Sequence, residues 1–333
     1  MGGKGPTGTQ PRPQRRTLTL AMNTLEQVEK LLTAQKEQWP QAAANYAALA
    51  NVEVKELPLP GMNFKVQFNP ARIASTGAKV DVAAIKARKC FLCAANRPEV
   101  QKGIDWNDRY TILVNPFPIF PRHLTIPDKE HTLQLIKGRM THMMQLAAEL
   151  PGYTVFYNGP RCGASAPDHM HFQAGNSDFL TIWDAAEAAV LTPLGTASSG
   201  QSALSASYDT PLHFFVIDAA NPADGEELFD RLYNAMPVPE GEQEPMMNVL
   251  CHAQAGRIRA VVIPRKRHRP SFYGDGDGCM LVSPASVDLG GVLITPRKAD
   301  FDRLDRSTLE NILAELCLDK DEAASIANRI TSH

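Results

Sequence analysis

Cysteine is scarce in this chain, with six among 333 residues. That is too few for a fold stapled by disulfides. Long apolar runs are missing too: none approaches the ~20 residues needed to span a bilayer. Neither sign of charge dominates, 34 Lys plus Arg standing against 36 Asp plus Glu. The balance argues against a nucleic-acid coat or a polybasic membrane binder and leaves room for local basic pockets. The first sixteen residues hold Gly, Pro, Gln and basic side chains but no apolar core, so they do not read as a secretory signal. Pro6 stands where myristoylation of Gly2 would need Ser or Thr. A disordered tail is expected over 1–22, with Met22 offering a second start, and a cytoplasmic location is expected.

What is present is an ordinary globular composition, 44% hydrophobic and 21% charged. The length suits two domains, or one built on an internal repeat. Apolar residues at helical spacing predict a helix over 24–50, and two short strands follow at 52–57 and 63–68 around Leu-Pro-Leu-Pro-Gly. Strands are predicted at 110–114, 123–126, 153–157 and 169–173, and a helix over 133–150. Residues 191–208, rich in Ser, Gly, Thr and Ala, read as a linker or long loop. Beyond them come a strand at 212–217, a helix at 226–235, a hairpin turning at Ala255-Gly256, and two closing helices. Ile126-Pro127 and Ile263-Pro264 each open an I-P-x-K-x-H echo, which suggests duplication.

The most informative stretch runs from Phe156 to Gln173. On a strand, residues two apart share a face. His169, His171 and Gln173 therefore line one side while Met170 and Phe172 face the core. Just upstream, Gly163, Ala164 and Ser165 are small enough for backbone N–H groups to approach an anion. Asn158 and Ser165 add donors and Arg161 adds charge. The set reads as a phosphate site; the plainer alternative is a half-exposed strand carrying two incidental histidines. Cys90-x-x-Cys93 reads as a metal or a redox pair, and the other four cysteines as buried small hydrophobes.

The H-x-H-F-Q-A segment at 169–174 resembles the transferase branch of the histidine-triad superfamily. That branch holds galactose-1-phosphate uridylyltransferase, diadenosine tetraphosphate phosphorylase and the GDP-hexose phosphorylases, and the last look closest. The hydrolase branch carries a third His where this chain has Gln173. Asn115-Pro116-Phe117, the Pro121–His131 segment and Asn69-Pro70-Ala71-Arg72 resemble further parts of the family in the same order. The resemblance covers roughly residues 63–185. It implies an α+β protein of two histidine-triad-like halves, each an antiparallel sheet with flanking helices: a catalytic half at 23–190 and a degenerate one at 209–333.

By the same resemblance, His171 is the nucleophile and forms a covalent nucleotidyl intermediate. Gln173 donates its amide to a phosphate oxygen, and His169 completes the catalytic motif. Asn115 contacts the nucleoside, and Arg72, Arg97 and Arg161 are candidates to neutralise the β-phosphate. The uridylyltransferase likeness adds His131 and His169 to Cys90 and Cys93 as ligands of a structural zinc. The implied substrates are a nucleotide-sugar or a dinucleoside polyphosphate, with inorganic phosphate or a sugar phosphate as acceptor. No nucleic acid or membrane is implied, and a homodimer is an open expectation. The alternative of another class is a non-catalytic, zinc-stabilised nucleotide-binding protein. The basic run 265–269, with His268 in it, reads either as a solvated turn or as a contact from the second half to the sugar phosphate or the phosphate acceptor.

Overall fold

The structure is a computed structural model that describes residues 23–77 and 80–332. The tail expected over 1–22 lies outside the described residues. The chain opens on α1 (Thr24–Gln38), whose capping box joins Asn23 and Glu26. Trp39 is extended, as a residue before proline must be, and Pro40 starts α2 (Pro40–Ala48). The single helix expected over 24–50 is therefore two. Next come the hairpin β1 (Glu53–Leu59) and β2 (Met62–Phe68) and the short helices α3 (Ile73–Thr76) and α4 (Val82–Ala87).

The first repeat of strands is β3 (Gly103–Trp106), β4 (Tyr110–Val114), β5 (His123–Pro127), α5 (Met140–Glu149), β6 (Tyr153–Asn158) and β7 (His171–Asn176). It ends on α6 (Ile182–Ala188). The helix expected over 133–150 starts only at Met140. Gly138 sits in the left-handed region at φ 72°, and Gln134 is buried and bonded to strand carbonyls, so neither belongs to a helix. The second repeat is β8 (Leu191–Thr196), β9 (Ala203–Ser207), β10 (Phe214–Ala219), α7 (Pro222–Ala235), β11 (Met247–Gln254) and β12 (Arg257–Pro264). Thus 191–208 is not a linker. Leu204 and Ala206 alternate into the core, and β9 pairs with β10 on one side and β8 on the other. Small residues disguised a period-two pattern. The chain closes with α8 (Ser286–Leu289), β13 (Val292–Thr295), α9 (Lys298–Arg303), α10 (Arg306–Leu316) and α11 (Lys320–Thr331).

Ten strands form one sheet in the order β3-β4-β5-β7-β6-β11-β12-β10-β9-β8. Read outward from the β6–β11 junction, the two halves have the same order: β3, β4, β5, β6 and β7 match β8, β9, β10, β11 and β12, with α5 matching α7. The duplication lies in this topology and not in the I-P-x-K-x-H echo, whose copies end β5 and β12, strands that do not correspond. The halves differ most where the chemistry is expected. A twelve-residue excursion joins β6 to β7, whereas β11 and β12 turn at Ala255 (φ 50°) and Gly256 (φ 76°). On β12 the face that His171 occupies on β7 carries Arg259, paired to Asp218 at 2.7 Å. The second half therefore carries neither the loop nor the histidines.

One face of this sheet packs on α1, α5, α7 and α11; the other meets the small sheet β1-β2-β13 and α6, α9 and α10. β13 runs parallel to β2, so the last strand is paired with the N-terminal hairpin. Phe172 and Ala174 point to the first face with Met170. His171 and Gln173 point to the second.

Candidate active site and metal centre

His171 and Gln173 line a cavity of about 500 Å³ on that second face. Its walls come from β4–β7, the 163–165 loop, and a second-half segment including His268, Arg269, Ser283 and Asp288. Nδ1 of His171 lies 2.8 Å from the carbonyl oxygen of His169. A carbonyl only accepts, so Nδ1 carries the hydrogen and Nε2 keeps its lone pair. Burial outweighs the opposing bond to the His169 carbonyl and pushes the pKa of His171 down to about 4, and the ring is neutral at pH 7.

The backbone of His171 is clamped by Gln134. That side chain accepts from His171 N–H at 2.8 Å and donates to the His171 and Asn158 carbonyls at 3.1 and 3.0 Å. Gln134 is held in turn by Tyr157, whose hydroxyl has one proton for two partners, the Gln134 carbonyl and Glu244. A protonated Glu244 resolves this by donating to Tyr157. Burial pushes its pKa up to about 7 in agreement. The folded value exceeds the ordinary one of 4.5, so the stability this group contributes is fully present below 4.5 and is lost as pH rises through about 7. Glu244→Gln is expected to remove roughly 2–3 kcal/mol of that fall. Urea unfolding of both proteins at pH 5 and pH 8 measures it.

Gln173 is oriented by two residues. Nδ1 of His123 accepts from Ile119 N–H at 3.1 Å, so its Nε2 is the N–H that donates to Gln173 Oε1 at 3.1 Å. Asn115 donates to the same oxygen at 3.4 Å, and its own Oδ1 accepts from Phe117 N–H. With the oxygen so held, the Gln173 amide N–H groups are left for the cavity. His123 lies in a motif quoted above, but nothing local gave it this task. Burial, with Arg72 nearby, lowers its pKa to about 3.

Gly163 sits at φ 97°, and a Cβ there would come within 2.4 Å of Ala285 Cβ. Only glycine lets the loop pass so close to the second half. Asn158 and Ser165 line the cavity with it. Asn158 Oδ1 accepts from Asn248, Ser286 N–H and the Ser286 hydroxyl, which ties β6 to the second half. Arg72 also lines the cavity and donates to the Phe117 carbonyl at 2.6 Å. The other two expected arginines stand outside its walls. Arg161 is exposed and paired to Glu242 at 3.4 Å; Arg97 feels Asp105 and Cys93. The cation that sequence reasoning left undecided, Arg269, is in the wall instead.

His169 does not line the cavity. It is turned to Cys90, Cys93 and His131, and the four ligand atoms lie within 4.8 Å of one another. Nε2 of His169 donates to the Asp128 carbonyl at 2.8 Å, leaving Nδ1 as the ligand atom. Nδ1 is 3.3 Å from Cys90 Sγ and 3.6 Å from Cys93 Sγ, and His131 Nδ1 is 3.2 Å from Cys93 Sγ. A tetrahedral ion with metal–sulfur bonds of ~2.3 Å and metal–nitrogen bonds of ~2.0–2.1 Å has S···N edges of about 3.6 Å, so the set fits a metal. Burial opposes ionisation of Cys90, but an imidazolium at His169 donating through Nδ1 and the Leu92 and Cys93 N–H groups prevail and hold it at about 6; a cation in the set would take the place of that Nδ1 proton. Burial and the neighbouring Cys90 raise Cys93, a repulsion that a cation between them would relieve. Asp128 is fixed by Arg109 at 2.9 Å and Arg139 at 2.7 Å. Cys162, Cys251 and Cys317 are buried as expected; Cys279 is only half-buried.

The family model described as "GDPGP1-like, C-terminal domain" matches residues 199–333, and a domain of unknown function, DUF4922, matches 31–176. Yeast Ap4A phosphorylase Apa2 in complex with Ap4A is similar over 90% of this chain and 98% of its own, with a TM-score of 0.60 and 17% identity. The chain shares the fold of that phosphorylase. Its likeness to Apa2 without ligand covers 84% of this chain and 93% of that one, at TM-score 0.54 and 19% identity. An ADP-glucose phosphorylase from Arabidopsis thaliana with bound ADP-glucose aligns over 80% and 99% at 13% identity, with a TM-score of 0.37. No curated protein matches this chain in sequence. Among the described residues no helix is long and apolar enough to cross a membrane.

Proposed function

We propose that this protein is a nucleotide phosphorylase that works through a covalent nucleotidyl-His171. The observation that carries the reading is the tautomer of His171: with Nδ1–H held by a backbone carbonyl, the free lone pair of Nε2 is on the ring edge available to a substrate phosphate. In the first step Nε2 attacks the α-phosphorus of a nucleotide-sugar. The bond from phosphorus to the bridging oxygen breaks, and its electron pair leaves with the sugar phosphate. In the second step an oxygen of inorganic phosphate attacks the same phosphorus. The P–N bond breaks, its pair returns to Nε2, and a nucleoside diphosphate departs.

Gln173 donates to a non-bridging oxygen but has no proton to give a leaving group. A sugar phosphate needs none, because it leaves as a stable anion. Catalysis here is positioning and charge stabilisation. Gly163 and Ser165 are assigned to the phosphates and Asn115 to the nucleoside. Cys90, Cys93, His131 and His169 are assigned to zinc, whose chemistry there is to tether the 90–93 loop to the approach of β7.

An NDP-hexose is the first choice of substrate. Full-length likeness to a phosphorylase solved with Ap4A favours a dinucleoside polyphosphate as the second. Incubation with GDP-, UDP- and ADP-sugars and with diadenosine tetraphosphate, with and without phosphate, tests the reading. Release of nucleoside diphosphate that requires phosphate is the expected result. Equal release of nucleoside monophosphate without phosphate would make the protein a hydrolase, and no turnover or adduct would make it a binding protein.

A further inference from the structure

We propose that His268 and Arg269, supplied by the second half, form the subsite for the phosphate monoester that leaves and for the inorganic phosphate that replaces it. The inference rests on the phosphorylase reading and adds to it the place where its second substrate binds. Both residues line the cavity that holds His171. The five basic residues of 265–269 divide three ways. Lys266 and Arg267 turn outward to Glu322 at 3.1 Å and Glu315 at 2.8 Å. Arg265 is buried at 4% exposure and braces the loop. It donates to the carbonyls of Arg267 and His268 at 3.0 and 3.1 Å, to Pro284 at 3.1 Å and to Asn248 Oδ1 at 2.6 Å. Asn248 in turn donates to Asn158 on β6, next to the strand of His171. The backbone at 267–268 is thus tied to β6, the neighbour of the strand that carries the nucleophile.

The guanidinium of Arg269 is also held in one plane. Its Nε donates to Ser283 Oγ at 2.9 Å, and it lies 4.0 Å over the ring of Tyr273. A guanidinium fixed in the wall brings a placed positive charge, which suits a phosphate oxyanion. The surroundings of His268 are cationic: after burial itself, Arg269, Arg265 and Arg161 push its pKa down to about 3. The one carboxylate in this part of the wall, Asp288, is turned to the Ala285 and Ile294 N–H groups. An anion bound beside His268 would relieve that excess of positive potential. The leaving and arriving groups share one chemistry, a phosphate dianion, and in a two-step exchange the second must occupy the place vacated by the first.

The full-length chain would be titrated with inorganic phosphate and, separately, with glucose 1-phosphate. Calorimetry gives the dissociation constants and the His268 Cε1–H resonance reports where each binds. Both ligands are expected to bind and to shift that resonance. Arg269→Gln should weaken both by about tenfold to a hundredfold, the loss of a charge-assisted contact; Arg269→Lys should recover part of it, and Arg267→Gln should change nothing. Melting curves show that each variant is folded. Absence of binding to the wild type, or equal affinities in Arg269→Gln and Arg267→Gln, would overturn the inference. Loss of glucose 1-phosphate binding alone would overturn the shared subsite. If phosphate binding depends on Arg269 but no adduct forms on His171, the phosphorylase reading fails and this one stands.

Discussion

His171→Ala is expected to lower phosphorolysis by about four orders of magnitude or more while leaving the protein folded. The size follows from removing the atom that forms the bond. The specificity follows from the neighbouring imidazoles, none of which is available to take over. His123 is bonded at both ring nitrogens, accepting from Ile119 and donating to Gln173. His169 is bonded at Nε2 to Asp128, and its Nδ1 faces the two thiols. The variant should also show no nucleotidyl adduct by mass spectrometry after incubation with a nucleotide-sugar. Retention of more than about a tenth of the wild-type rate would place the nucleophile elsewhere.

Metal removal is the second large effect. Purified protein is expected to hold one zinc per chain. Chelation, or Cys90→Ser, should lower the melting temperature by roughly 10 °C, because metal-binding energy is also folding energy. The cysteines and His131 sit on irregular segments, and Cys90, Leu92 and Ala166 form only a small apolar cluster. Beyond it the corner has the Arg88–Asp168 pair at 2.7 Å and the Asn96 bond to the Cys90 carbonyl at 2.9 Å. Activity should fall with it, since the His169 carbonyl that sets the His171 tautomer belongs to a residue of the metal set. A chelated protein with unchanged melting and full activity would refute the assignment.

How much of this was legible in the sequence can be argued residue by residue. The alternation of Met170, His171, Phe172 and Gln173 was readable because a strand has a period of two, and the structure keeps those faces apart. The four metal-set residues came together only through a family likeness, since Cys90 and His169 are 79 positions apart. The supports of the site were illegible. His123 orients a glutamine 50 positions away, and Glu244 reaches Ile136 across 108. Such contacts are made by strand order, which no local pattern encodes. The 191–208 segment was misread for another reason: averaging its composition hid the inward alternation of Leu204 and Ala206. The basic run 265–269 offered two readings: Lys266 and Arg267 pair outward with Glu322 and Glu315, while His268 and Arg269 line the cavity.

The central claim is a double displacement at phosphorus with His171 between the two halves. Its most direct measurement uses a nucleotide-sugar made chiral at the α-phosphorus with sulfur, followed to the nucleoside diphosphate by phosphorus NMR. Two in-line attacks each invert the centre, so net retention of configuration is predicted. Net inversion would mean that phosphate attacks the substrate directly, and no phosphoramidate would lie on the path.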